Sequence, residues 1–510
     1  LSEQIPYVGE LGMGIGKPKS LRDNDVVLEG LFKSLNINFE QTHLMNAPNV
    51  SAAYAAVERF QQIAPQNYNK PAFALAWDWV SMIVHPTWKN AAIQTYQQVL
   101  EKTDIEFKKK SAGIPWNLVG LPFKEETYKD EDFINFYQQQ WNRNFWQKPC
   151  LAHVTVKKEI LPRKKIVQNR LRNVVAVDAL HNMLMQMTCY DSHHRMQKHN
   201  LINMIALGWS PYAGGMQRLA EHLGKHPNGW EIDGGGWESH MFEAVLENIA
   251  KLKFESLCDK DRTYDNWLKI KHAYEMIAKI PIVMPDGKAF LKGAYGTGGN
   301  LTGQVGTAHD NSLMMLFSVC YCWIMMVNHD IEAFKEHCSI ATFGDDLTFT
   351  VSDAVVPFFN GPRIAELVWR DFGFIFESPC WDARPFYELG FLSMHFNFNH
   401  ETQKWVHTIN RDKLFSNILQ GGTERTPDEQ LQRLCGMRNV AWGDIAMRKE
   451  LQTLIDAYIE TQDPTLAGDP LWENAKKSYV SDRLLKKLYF GYESGEGSPH
   501  IDFDWFALSH

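Results

Sequence analysis

No Cys-x-x-Cys pair occurs among the eight cysteines of this 510-residue chain. That absence argues against a zinc site, and the scatter of the thiols suits a reducing compartment. Positive charge is not in excess either. Lys and Arg number 52 against 60 Asp and Glu, a net charge of −8. Any affinity for nucleic acid must therefore rest on local basic patches. Long apolar runs are lacking as well. The longest uncharged one, SLMMLFSVCYCWIMMV (312–327), has 16 residues, short of the ~20 a membrane span needs, and reads as a buried core helix. There is no internal repeat and no low-complexity segment. The start shows no signal peptide, and Leu1 in place of Met reads as an engineered truncation or a segment released from a longer chain. GMGIGK (12–17) lacks the spacing of a phosphate-binding P-loop, and Pro18 stands where Ser or Thr is needed, so it reads as a loop.

With 45% hydrophobic and 22% charged residues the composition is that of a globular protein, and the length predicts roughly three domains or subdomains. Residues 1–150 are mixed, with helical patches at 51–63 and 87–101. From about 230 to 395 strands and helices alternate. Beyond about 400 the pattern is mostly helical, notably over 428–460, and predicts a helical unit of its own.

ATFGDDLTFTV (341–351) sets two aspartates side by side between two period-2 runs, which predicts strand–turn–strand. Gly and Asp are ordinary turn residues. Two carboxylates on a rigid hairpin are also ligands for hard divalent cations. GWEIDGGGWESH (229–240) predicts a third carboxylate, Asp233, at a strand end, ahead of three glycines and a helix from Ser239. Two-metal phosphoryl chemistry needs several carboxylates converging on ions ~3.5–4 Å apart. A glycine-rich turn capped by Ser239 is the plainer alternative. TGGNLTGQVGTAHDNSL (297–313) feeds the apolar helix, and its Thr302, Thr307 and Asn311 are spaced to present hydroxyls and an amide to a ribose or a base. Alternatively it is a flexible loop with an Asn near a helix start. VKKEILPRKKIVQNRLR (156–172) carries seven cations against Glu159. Such a run is ordinarily a solvated face, but interleaved Ile160, Leu161, Ile166, Val167 and Leu171 anchor it, which suits a triphosphate channel. KKKSAGIPWN (108–117) joins a Lys triplet to a Gly/Pro loop suited to guiding a phosphate backbone.

In order and spacing these segments resemble the RNA-dependent RNA polymerases of positive-strand RNA viruses. SAGIP (111–115) is similar to the family's loop at the template entrance, KKEILPRKKIVQNRLR (157–172) to its nucleotide-phosphate-binding fingers segment, and DGGGWE (233–238) to its first palm motif. TGQVGTAHDN (302–311) resembles the second palm motif, FGDD (343–346) the Gly-Asp-Asp motif, and ELGFLS (388–393) the hairpin gripping the primer end. The form GN-x-(Ser/Thr)-GQ over 299–304 resembles the astrovirus and potyvirus branch. Three departures stand out. Glu238 replaces the usual Asp, Thr302 the usual Ser, and 372–386 lacks the lysine proposed as general acid, Arg384 being the nearest cation. Arg is a poor proton donor.

The resemblance implies an α+β right-hand fold of fingers, palm and thumb. Fingers with N-terminal fingertips would span 1–228, palm 229–252, a fingers insertion 253–292, palm again 293–398, and a mostly helical thumb 399–510. It implies RNA synthesis from nucleoside triphosphates, with Asp233, Asp345 and Asp346 holding two Mg²⁺ ions (Mn²⁺ substituting), Asp345 being the surer ligand of the adjacent pair. Lys157, Lys165, Arg170 and Arg172 would bind phosphates, and Glu238, Thr302, Gly303, Thr307 and Asn311 would select the ribose. Ser111, Gly113 and Pro115 would line the template entrance, and Phe391 and Leu392 would grip the primer. Arg384 would contact pyrophosphate or act as general acid. Partners would be an RNA template and product strand and other viral replication proteins, at membrane-associated sites in the host cytoplasm, with no transmembrane segment in this chain. Two rival readings are a reverse transcriptase, which the Asn311 triad opposes because that enzyme must exclude ribose, and a catalytically silent RNA-binding scaffold, which three intact carboxylates oppose.

Overall fold

Residues 307–326 form a single helix in which every residue from His309 to Ile324 is buried. A helix with no polar face must sit inside protein. In the computed structural model, which describes residues 4–12, 21–103, 108–296, 298–420 and 425–491, this helix is the axis of the main core. Helix Lys70–Trp88 lies along it, with Trp77 stacked on Phe317 at 4.6 Å between ring centroids. Beyond Gly12, the stretch 12–17 falls outside the described residues.

Against the axial helix lies a four-stranded antiparallel sheet in the order Ile375–Glu377, Asn228–Gly235, Asp346–Val351, Cys338–Phe343. Leu347, Phe349 and Val351 alternate with Thr348 and Thr350, but both sets are buried, so the sheet is covered on both faces. A second, five-stranded sheet gathers Tyr7–Glu10, Lys288–Lys292, Ile280–Val283, Ala152–Val156 and Asn173–Val177. It draws the segment 280–292 away from the neighbouring chain and into the N-terminal part. The C-terminal helices Arg411–Gln420, Pro427–Val440 and Ile445–Glu460 share a separate apolar cluster with Leu28, Leu31 and Phe32 of helix Val26–Ser34. The N-terminal segment thus bridges to the C-terminal unit, and Arg411 donating to the Asn38 carbonyl at 2.6 Å fastens it.

Four expectations need revision. The region read as helix over 87–101 holds the end of Lys70–Trp88, then Asn90 in the left-handed region, then a new helix at Tyr96–Lys102. The first helix runs past Pro86 to Trp88 and stops where Lys89 leaves helical geometry at ψ 153°, and the capping box at Thr95 starts the second. The helix expected from Ser239 begins at Glu243, after a short 3₁₀ turn over Trp237–His240. Ser239 Oγ donates back to the Gly236 carbonyl instead of capping it. Asp233 lies inside its strand, two residues from the end, because Gly235 still pairs with Ile375. Finally, the C-terminal part opens with a hairpin, Met394–Asn399 and Lys404–Ile409, before turning helical.

Candidate active site

The hairpin at 343–346 is built from its turn outward. Gly344 has φ +61°, a region open to glycine, and a Cβ there would meet nothing within 4 Å, so conformation rather than space calls for it. Its N–H donates to Ser312 Oγ at 2.7 Å, and Ser312 is anchored on the axial helix through the Ala308 carbonyl. The tip is therefore fixed from beneath. Asp346 stands directly opposite Asp233 in the antiparallel register, and the Gly234 N–H donates to the Asp345 carbonyl at 2.9 Å. Asp233, Asp345 and Asp346 each offer a carboxylate oxygen, and these oxygens lie within 4.8 Å of one another.

Three carboxylates this close are costly to ionise together. Surrounding protein first, then Asp345 and Glu377, push Asp233 up to about 6. Surrounding protein, Asp345, Asp233 and Glu231 push Asp346 up to about 7. Asp345 is raised by the same enclosure and by Glu238. Arg172 pulls all three down, and Lys165 pulls down Asp233 and Asp345. Asp233 and Asp345 keep solvent access on the open side. An all-oxygen, anionic, solvent-open cluster fits a hard divalent cation.

The other expected site residues fall into three groups. Glu238, Lys165 and Arg172 are in electrostatic reach of the carboxylates, as just described. Lys157 and Arg172 flank Glu159 at 3.6 and 3.5 Å, and the Lys157 N–H donates to the Arg172 carbonyl. Arg170 is exposed.

A second group serves the loop itself. Thr302 Oγ1 accepts from the Val175 N–H at 2.8 Å, and Thr307 Oγ1 donates to the Leu301 and Gln304 carbonyls at 2.8 Å. Both hydroxyls bond main chain, where they hold the loop to strand Asn173–Val177 and start the axial helix, and each keeps a lone pair with which to accept from a further group. Gly303 lets that strand come close, since a Cβ on it would lie 2.6 Å from Ala176 Cα. Asn311 is not a helix cap, because the helix starts at Thr307 behind Gly306. Gly113 is likewise packed on Asp178, while Ser111 and Pro115 stay exposed.

The third group is displaced. Phe391 is 3% exposed and packs on Trp209, so it belongs to the core and is not free to grip a strand. Leu392 and Ser393, both with positive φ, form the tip of that hairpin. Arg384 pairs its backbone with Gly229, lies 3.5 Å from Glu231 and donates to the Glu388 carbonyl.

Sequence reasoning missed several residues. Glu377 sits opposite Asp233 across the strand pair, and Lys413 donates to Ser393 at the hairpin tip and feels Asp346 and Glu159. Neither has a local signal, as only pairing of distant segments brings them here. Asn300 and Gln304 were visible, but only as a lineage pattern.

Residues 49–459 match the family described as viral RNA-dependent RNA polymerase. The chain belongs to that family. Its enzyme class is therefore RNA-directed RNA polymerase, a nucleotidyltransferase. Relatives include the genome polyproteins of tobacco vein mottling virus, 25% identical over 371 residues, and of plum pox potyvirus (isolate NAT), 23% identical over 375. These alignments take in 71% and 73% of this chain but 11% of each polyprotein, so the polymerase spans about a tenth of the length of those relatives. Among solved structures, a Sicinivirus 3Dpol RNA dependent RNA polymerase superimposes with a TM-score of 0.71 at 14% identity, covering 94% of this chain and 100% of that one. That likeness gives the polymerase the right-hand α+β fold. No single helix among the described residues is long and apolar enough to cross a membrane.

Proposed function

We propose that this polymerase extends an RNA 3′ end on an RNA template by two-metal nucleotidyl transfer, replicating a positive-strand RNA virus genome. The observation that carries the reading is the convergence of Asp233, Asp345 and Asp346 across the strand register. These carboxylates would hold two Mg²⁺ ions, or Mn²⁺ in their place. Bound there, the ions would supply the Lewis acidity that lowers the pKa of the 3′-hydroxyl and offsets charge on the leaving pyrophosphate. The protein's own contribution is orientation and fixed charge. Arg172 and Lys165, with Lys157 and Arg170 on the same segment, would grip the triphosphate. The Glu238 carboxylate and the Asn311 amide would read the 2′-hydroxyl, the group that separates RNA from DNA precursors, with Thr302, Gly303 and Thr307 holding their loop. Ser111, Gly113 and Pro115 would edge the template entrance, Leu392 would meet the primer end, and Arg384 would act electrostatically through Glu231.

In this reading fingers occupy 1–228 and 253–292, palm 229–252 and 293–398, and thumb 399–510. Support comes from the shared sheet of 280–292 with the N-terminal part and from the helix cluster after 411. Template, product strand and nucleoside triphosphates are its partners, joined by other viral replication proteins at membrane-associated sites in the host cytoplasm. Primer extension on a homopolymeric template with Mg²⁺, then Mn²⁺, tests the reading. Asp345→Ala should abolish nucleotide addition while RNA binding survives on the basic fingers. An active Asp345→Ala enzyme would refute the metal assignment. A preference for deoxynucleotides would favour a reverse transcriptase, and no extension by the unaltered protein a silent scaffold.

A further inference from the structure

Only half of the Asn311 amide is taken up by the surrounding protein. Its Oδ1 accepts from Asn300 Nδ2 at 3.0 Å, and its Nδ2 has no hydrogen-bond partner among the described residues. Which half faces outward decides whether the site offers a donor or an acceptor, and an isolated amide could sit either way round. Here the neighbours decide it. Asn300 Oδ1 accepts from the Leu301 N–H at 2.9 Å and from Gln304 Nε2 at 3.1 Å. A main-chain N–H can only donate, so the Asn300 carbonyl must face it and the Asn300 amide must face Asn311. Gln304 is pinned at both ends by the same logic. Its Oε1 accepts from the Gly306 N–H at 2.6 Å, and its Nε2 donates to Asp310 Oδ2 at 2.7 Å. Asp310 in turn is held as an acceptor by the Lys253 ammonium at 2.5 Å and the Tyr274 hydroxyl at 3.0 Å, all of it fully buried. Lys292, also buried, holds the Gly299 carbonyl at 2.8 Å and fixes the loop just ahead of Asn300. The direction of donation thus runs without a break from Gln304 through Asn300 to Asn311.

We propose that Asn300 and Gln304 are positioning residues for sugar selection, relaying the polarity of the buried Lys253–Asp310 pair so that Asn311 presents an N–H donor to the 2′-oxygen of the incoming ribonucleotide. The inference rests on Asn311 reading the ribose. It adds two residues that touch no substrate.

Asn300→Asp tests it, because a carboxylate keeps both accepting roles of Asn300 and loses only the donor toward Asn311. Asn311 then turns its NH₂ to the introduced carboxylate and shows the sugar a carbonyl oxygen, a second acceptor that finds no proton because the 2′-hydroxyl has given its one proton to the Glu238 carboxylate. Single-nucleotide incorporation by the full chain is measured as kcat/KM for a ribonucleotide and its 2′-deoxy counterpart, alongside Asn300→Ala, Asn311→Ala and thermal melts. The ribose-to-deoxyribose ratio is expected to fall about 5- to 150-fold in Asn300→Asp and Asn311→Ala. If the buried charge prevents Asn300→Asp from folding, Asn300→Ala is read in its place, since it frees the Asn311 amide to rotate and lowers the same ratio. An unchanged ratio in both Asn300 variants while Asn311→Ala loses discrimination overturns the relay and leaves the ribose reading standing. An unchanged ratio in Asn311→Ala overturns the ribose reading and the relay with it. Equal losses for both sugars with a lowered melting temperature make Asn300 merely structural, which also overturns the proposal.

Discussion

Removing one carboxylate from the three-aspartate cluster should stabilise the metal-free protein while destroying its response to metal. The oxygens of Asp233, Asp345 and Asp346 lie within 4.8 Å of each other. At that separation a pair of unit charges repels by about 0.9 kcal/mol in water and about 3.5 kcal/mol at an effective dielectric of ~20. Solvent access at Asp233 and Asp345 favours the lower figure. Asp345 takes part in two such pairs, so Asp345→Asn should relieve roughly 2 kcal/mol in EDTA at pH 8. In a chain of 510 residues that is a rise in melting temperature of about 2 °C. The pH dependence follows from the same geometry. Asp233 and Asp346 are raised to about 6 and about 7 in the folded protein, above their unfolded values, so the folded state binds more protons. Metal-free stability is then highest below the unfolded value and falls as pH rises through about 6 and 7. Mg²⁺ should restore it, more at pH 8 than at pH 6, and Asp345→Asn should lose most of that restoration. Thermal melts at the two pH values, with EDTA or Mg²⁺, check the whole set. An equal Mg²⁺ shift in Asp345→Asn, or an EDTA melt that improves with rising pH, would refute the reasoning.

Arg172→Ala should raise KM for all four nucleoside triphosphates equally, by about tenfold for one lost charge-assisted contact, because a phosphate contact carries no base information; steady-state kinetics with each nucleotide would expose any base-selective defect. Phe391→Ala should cost about 3–5 kcal/mol of stability and leave primer affinity nearly unchanged, since the ring is buried against Trp209; unfolding measurements beside primer titration separate core from grip. Lys253→Met should cost about 3–5 kcal/mol, because it strands the fully buried Asp310 carboxylate, and a denaturation midpoint equal to that of the unaltered protein would show the pair to be dispensable.

What the sequence determined by itself is local. Alternation around Gly344 specifies a hairpin, an uninterrupted apolar run specifies a buried helix, and short-range order put Asp345 beside Asp346. Each depends on neighbours within a few residues, where backbone periodicity and turn chemistry act directly. The tertiary structure decided everything that needs two distant segments in register. It set Asp233 opposite Asp346 and Glu377, and it turned the Thr302 hydroxyl into a tie to strand Asn173–Val177. It also buried Phe391 and joined Lys253 to Asp310 on the axial helix. A side chain's hydrogen-bonding capacity is fixed by its type, but which partner takes it up depends on which strand or helix packs within about 3 Å. That is why the carboxylates were legible from residue type and spacing, while the direction in which the Asn311 amide points was not.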